Sequence, residues 1–153
     1  MEERKFAGDP GRNLGQILLG WTLASLCLLS GGAWAQVVTE FSTGITGGAR
    51  PYNITAGPDG NLWFTEVNGN RIGRITPLGV VTEFSTGITA ASFPFGITAG
   101  PDGNLWFAEQ ASDRIGRITP DGVVTEFRAG ISDGATPEYI TAGPDGNLWF
   151  TEY

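Results

Sequence analysis

One phrase of eleven residues occurs three times in this chain and constrains its fold more than any other feature. Ile54-Thr55-Ala56-Gly57-Pro58-Asp59-Gly60-Asn61-Leu62-Trp63-Phe64 recurs at residues 97–107 and 140–150, a step of 43 residues each time. Val37-Val38-Thr39-Glu40-Phe41 returns at residues 80–84 and 123–127 with the same step, and Arg71-Ile72-Gly73-Arg74-Ile75 returns at residues 114–118. A fixed period of this length, carrying several short strand-like runs separated by turn residues, is the signature of a β-propeller blade.

The strand signals fall at residues 53–57, 61–66, 71–76 and 80–84 in the first full unit. They recur at 96–100, 104–109, 114–119 and 123–127 in the second, and at 139–143 and 147–152 in the third. Gly57-Pro58-Asp59-Gly60 supplies a turn between the first two: proline presets its own φ, aspartate tolerates the bend, and glycine takes a positive φ. Four strands joined by tight turns make an up-and-down antiparallel sheet. Leu62-Trp63-Phe64 is apolar on both faces, as a strand sandwiched between neighbouring sheets requires. Gly73 interrupts the alternation of its strand and reads as a bulge.

The reading is therefore all-β: four-stranded antiparallel propeller blades in an incomplete ring. The units are 37–79, 80–122 and a partial 123–153. The run 37–41 is the outer strand of a blade whose inner strands do not precede it. Propellers close with about 4–8 blades. Fewer leave wide apolar flanks, so self-association or further blades are expected to cover them.

Residues 1–35 read as a secretory leader. Arg4, Lys5 and Arg12 precede the apolar run 17–29, and Ala33-Trp34-Ala35 offers a small-x-small cleavage site. The run is too short to span a bilayer comfortably. The expectation is export to the periplasm or the extracellular space, with residues 36–153 as the mature chain and no membrane attachment after cleavage. The one cysteine, Cys27, lies inside the leader as apolar filler, so the repeats hold no disulfide.

Beyond residue 35 there are 13 acids against 6 arginines and no lysine. An acidic surface without a basic stripe argues against nucleic acid. It leaves small-molecule, cation and carbohydrate partners open. The chain has no histidine, which removes the commonest general base and transition-metal ligand.

The run Gly-Pro-Asp-Gly-Asn-Leu-Trp-Phe-Thr-Glu, followed by Arg-Ile-Gly-Arg-Ile-Thr-Pro and Val-Val-Thr-Glu-Phe, resembles the streptogramin B lyase (virginiamycin B lyase) family. More distantly the chain is similar to NHL-type and gluconolactonase-like propellers. The resemblance implies a seven-bladed propeller and a magnesium-dependent lyase that opens ester-linked cyclic peptide antibiotics by elimination. A small molecule or cyclic peptide is the ligand it implies. It places the family's base, a histidine, directly after the proline that leads into an innermost strand, and a glutamate of the metal site at the end of the next strand.

Carried over by position, Tyr52 follows Pro51, Phe95 follows Pro94 and Glu138 follows Pro137. None is histidine, and Glu138 alone can take a proton as a carboxylate. Glu66, Glu109 and Glu152 stand 14 residues after those positions and are the candidate magnesium ligands. The alternative for each is a solvated strand end. The innermost strand runs away from the upper face and the next returns to it, which puts each glutamate at the same end as its partner. With the base absent, the expectation is a lyase-like propeller inactive alone; the alternative is an exported, non-catalytic binding or assembly module.

Other repeated residues have structural readings. Asp59, Asp102 and Asp145 belong to turns, because one acid per turn is too few for calcium. Trp63, Trp106 and Trp149 are expected to pack between blades rather than stack sugars. Arg71, Arg74, Arg114 and Arg117 are expected to face outward and pair with Glu83 and Glu126 on the adjacent strand.

Overall fold

The computed structural model describes the backbone of one strand, β1 (Glu3–Phe6), and residues 38–153. The leader reading falls almost wholly outside the described residues. Phe41–Tyr153 belongs to one compact unit. β2 (Val38–Phe41) pairs with β1 in a two-stranded sheet, not with a blade. The expected outer blade strand is thus a strand with a different partner.

Two complete blades follow. The first is β3 (Pro51–Ala56), β4 (Leu62–Glu66), β5 (Arg71–Ile75) and β6 (Val81–Phe84). The second is β7 (Pro94–Ala99), β8 (Leu105–Glu109), β9 (Arg114–Ile118) and β10 (Val124–Phe127). Each is a four-stranded antiparallel sheet in chain order. The third unit contributes the hairpin β11 (Ile140–Ala142) and β12 (Leu148–Phe150).

Local chemistry explains the strand limits. Asp59 closes the turn between β3 and β4 by accepting hydrogen bonds from the Asn61 N–H at 3.2 Å and the Trp63 indole at 3.0 Å. Asp102 repeats the indole contact in the second blade at 3.0 Å and Asp145 in the third at 3.2 Å. The innermost strands start two residues before their expected beginnings, at Pro51 and Pro94. Proline suits the first position of a strand because it has no N–H to pair. The register then slips between Pro51 and Ile54, and between Pro94 and Ile97. In that slip the Asn53 N–H donates to Thr65 Oγ1 at 3.1 Å, and Asn53 Oδ1 accepts the Ile97 N–H of the next blade at 2.9 Å.

Gly73 is not a bulge. Phe64 pairs directly opposite it in an unbroken register. A Cβ at Gly73 would lie 2.2 Å from the Phe64 ring, and one at Gly116 would lie 2.1 Å from that of Phe107. The glycine is the seat of an aromatic ring.

Blades pack face to face. Trp63 and Ile72 of the first form one buried cluster with Ile97, Leu105, Phe107 and Ile118 of the second. Ala108 and Ile115 of the second meet Ile140 of the third. Polar contacts accompany the apolar ones: Thr65 Oγ1 donates to the Phe95 carbonyl at 2.6 Å, and the Gly96 N–H donates to the Glu138 carbonyl at 2.8 Å. Trp63 is fully buried by the following blade, whereas Trp149, with the same local sequence, is 59% exposed.

Two of the four arginines depart from expectation. Arg71 and Arg114 do pair with Glu83 and Glu126, at 3.6 and 3.5 Å. Arg74 instead lies 5.5 Å from the ring centres of both Trp63 and Phe84, and donates to the Pro120 carbonyl at 3.0 Å. Arg117 sits likewise on Trp106 and Phe127 at 5.8 and 5.7 Å. A guanidinium is planar and weakly hydrated, so it stacks on aromatic faces where an ammonium would stay in water.

Candidate functional site at the upper face

The innermost strands begin, and the second strands end, at one face of the blades. Pro51 pairs with Glu66 and Pro94 with Glu109, so in the two complete blades the predicted juxtaposition at one end of the sheet holds. Three aromatic side chains meet there. Tyr52 approaches Phe95 edge to face with ring centres 4.7 Å apart, and its phenol oxygen lies 3.2 Å from that of Tyr139. Tyr52 and Tyr139 remain 41% and 50% exposed, which leaves their rings open to a ligand. The hydrogen bond with Tyr52, reinforced by the charge of Glu138, holds the Tyr139 phenol above its ordinary pKa.

Glu66 and Glu109 do not share that surface. Both are fully buried, which overturns the solvated-strand-end reading for these two; Glu152 is exposed. Glu66 faces Arg71 at 4.0 Å. Glu109 accepts a hydrogen bond from Ser112 Oγ at 2.8 Å, while its Oε1 makes none among the described residues. Burial raises the Glu109 carboxyl to about 7; Ser112 and Arg114 oppose the shift and neighbouring Glu126 adds to it. Burial removes the water that would stabilise the anion and the neighbouring acid repels it, so the carboxyl holds its proton to higher pH than usual despite Arg114.

The outer-strand glutamates hold the lead-in loops of their own blades. Glu83 accepts from the Thr46 N–H at 2.5 Å and the Thr46 hydroxyl at 2.6 Å. Burial works against ionisation of Glu83, but the two bonds from Thr46 outweigh it and hold its pKa below the ordinary value. Glu126 accepts the equivalent bonds from the N–H and hydroxyl of Thr89, the latter at 2.7 Å. An open depression of about 350 Å³ lies beside the first lead-in loop, lined by Thr46, Ala49, Arg50, Pro51 and Asn68 among others. It contains none of Glu66, Glu109, Glu138 or Glu152.

Against this geometry, the sequence profile of the Virginiamycin B lyase family matches residues 33–153. The chain belongs to the virginiamycin B lyase family. Among solved structures, a streptogramin B lyase is 43% identical over 76% of this chain and 38% of its own, with a TM-score of 0.71. A selenomethionine-substituted virginiamycin B lyase from Staphylococcus aureus is 47% identical over 76% of this chain and 39% of its own, also at 0.71. A catalytically inactive histidine-to-alanine variant of the S. aureus enzyme, with quinupristin, is 42% identical over 78% of this chain and 40% of its own, again at 0.71. A gluconolactonase from Xanthomonas campestris, 20% identical with a TM-score of 0.56, shares the fold alone. No match was found among curated proteins. The chain spans about two fifths of the length of the lyases it matches.

The family resemblance implies magnesium, and the carboxylates present do not by themselves fit it. Glu66, Glu109 and Glu152 stand in three different blades. Among the described residues no three acidic, histidine or cysteine side chains come together. Magnesium is bound through ionised carboxylates in near-octahedral geometry with retained waters. Glu109 is sealed from solvent and its carboxyl is pushed up to about 7, so it is only partly ionised at neutrality and is a poor magnesium ligand as it stands.

Sequence reasoning missed Tyr139, which meets Tyr52 across 87 residues of chain, and the grip of Glu83 and Glu126 on Thr46 and Thr89. For the second there was a signal: Thr46 and Thr89 keep the step of 43 that relates Glu83 to Glu126.

Proposed function

We propose that this chain is a ligand-binding portion of a streptogramin-lyase-type propeller, exported by its leader, with no ring-opening activity of its own. The observation that carries the reading is the identity of three side chains. Where the family resemblance puts a histidine base, the chain has Tyr52, Phe95 and Glu138. General-base catalysis contributes on the order of 10²–10⁴-fold. A phenol is a poor base near neutrality and a phenyl ring is none, which leaves Glu138 as the one carboxylate among the three. The relative with quinupristin is described as catalytically inactive through loss of a histidine. That supports ligand contact without turnover here.

The exposed rings of Tyr52 and Tyr139, with Phe95 between the blades, favour a small molecule or cyclic peptide with apolar or aromatic groups. The test is to incubate the purified chain and a type B streptogramin with Mg²⁺ and follow the linear product by chromatography. No product above a metal-only control is expected. Equilibrium dialysis should show retention of the intact antibiotic that weakens in Tyr52→Ala. Turnover that disappears in Glu138→Gln would overturn the reading and make Glu138 the base.

A second reading, an assembly module, is favoured by one observation. The third unit presents Trp149, Phe150 and Tyr153 at 59%, 36% and 98% exposure. On that reading light scattering finds oligomers; on the first alone it finds monomers.

A further inference from the structure

The turn after each second strand rests on the lead-in loop of its own blade. The N–H groups of Val67 and Asn68 donate to the carbonyls of Arg50 and Ala49, both at 3.1 Å. Those of Gln110 and Ala111 donate to Phe93 and Ser92 at 3.2 and 2.9 Å. The last residue of each turn then reaches across to the next blade. Asn70 Oδ1 accepts from the Ser92 N–H at 2.8 Å, the Ser92 hydroxyl at 3.1 Å and the Phe93 N–H at 3.3 Å. Its amide donates to the Thr89 carbonyl at 2.9 Å. Asp113, one repeat later, accepts from the N–H groups of Gly134 at 2.8 Å and Thr136 at 3.0 Å.

The gripped residues are strained. Phe93 and Thr136 hold φ of 52° and 44°, left-handed values that a bulky or β-branched residue adopts only when its surroundings impose them. Phe93 directly precedes Pro94, which starts β7, and Thr136 precedes Pro137, which leads into β11 three residues further on; Phe95 and Glu138 stand two residues beyond the strained positions. Asn70 and Asp113 are left-handed themselves, at 52° and 51°, which their short polar side chains tolerate.

We propose that Asn70 and Asp113 are positioning residues of the upper face: each, from the preceding blade, fixes the strained residue that launches the next innermost strand, and so sets where Phe95 and Glu138 stand. This holds whether the face binds or catalyses. The two clasps differ in kind. Asn70 is neutral and uses both ends of its amide. Asp113 accepts two N–H groups with a carboxylate, faced by Arg114 on its own blade and by Arg128 on the lead-in loop, which is itself paired with Asp133. The bonds from Gly134 and Thr136 hold Asp113 below its ordinary 3.8. Its contribution is therefore full above that value and is lost as pH falls through the lower folded one. The third lead-in loop opens in acid, and the second does not open through its clasp.

Residue-resolved amide hydrogen exchange on the full chain tests this, with the Tyr52–Tyr139 ring contact followed by NMR. Asp113→Ala is expected to speed exchange at Gly134 and Thr136 by about tenfold or more and to remove the ring contact. Phe107 and Ile118 should stay protected. Asn70→Ala should do the same at Ser92 and Phe93 only. Asp113→Asn offers one acceptor oxygen where the carboxylate uses two, so it should protect one of Gly134 and Thr136 but not both, and abolish the acid opening. Gly134 and Thr136 remaining protected in Asp113→Ala would overturn the proposal. If Asp113→Ala loses its fold, Asp113→Asn decides: undiminished protection at both Gly134 and Thr136, or unchanged acid sensitivity, sinks it.

Discussion

Replacing Glu109 with glutamine should stabilise this protein at alkaline pH and do almost nothing in mild acid. The carboxyl is fully buried at the end of β8, receives a hydrogen bond from Ser112 and stands beside Glu126. Its pKa rises from 4.5 to about 7, chiefly through desolvation. A carboxyl whose folded pKa lies above its unfolded value favours folding while protonated in both states. That advantage shrinks as pH climbs from 4.5 and is gone above about 7. The interval corresponds to about 3 kcal/mol. Glutamine reproduces the protonated acid: its oxygen accepts from Ser112 and its amide donates toward Glu126. Urea unfolding at pH 5 and pH 8 measures the effect as a difference of differences, which cancels groups common to both proteins. The variant should match the parent within about 1 kcal/mol at pH 5 and exceed it by about 3 kcal/mol at pH 8. Parallel pH dependence in the two proteins would refute the reasoning, because Glu109 would then ionise without penalty.

Two further predictions concern packing. Gly73→Ala should cost about 1–3 kcal/mol in urea unfolding, because the new Cβ would meet the Phe64 ring at 2.2 Å with backbone fixed on both sides; an unchanged midpoint would show that the ring has another rotamer to move into. Trp63→Ala should cost about 3–5 kcal/mol, whereas Trp149→Ala, with 59% of its side chain already in solvent, should cost under about 1 kcal/mol. Equal losses at the two positions would mean that the third unit is covered in solution.

The repeat by itself determined the blades. Each strand phrase and each Gly-Pro-Asp-Gly turn is a local device, and both complete blades follow it to within one residue at all but the innermost strands. Those start early because the slip beyond Pro51 is stabilised by Thr65 and by Ile97 of another blade, partners that no local pattern names. The pairing of upper-face positions with the glutamates at the ends of the next strands was also legible, since strand direction alone sets it. Only the tertiary structure decided which of those glutamates meet water. Glu66 and Glu109 are buried where the turn that follows each rests on the lead-in loop of its own blade, while Glu152 is exposed. Tyr52 meets Tyr139 and Asn70 grips Ser92 through tertiary contacts as well. Trp63 and Trp149 stand in an identical eleven-residue phrase, yet one is buried and the other open. A sequence repeat specifies the surface that each blade presents; burial, and the pKa values and energies that follow from it, belongs to whatever packs against that surface.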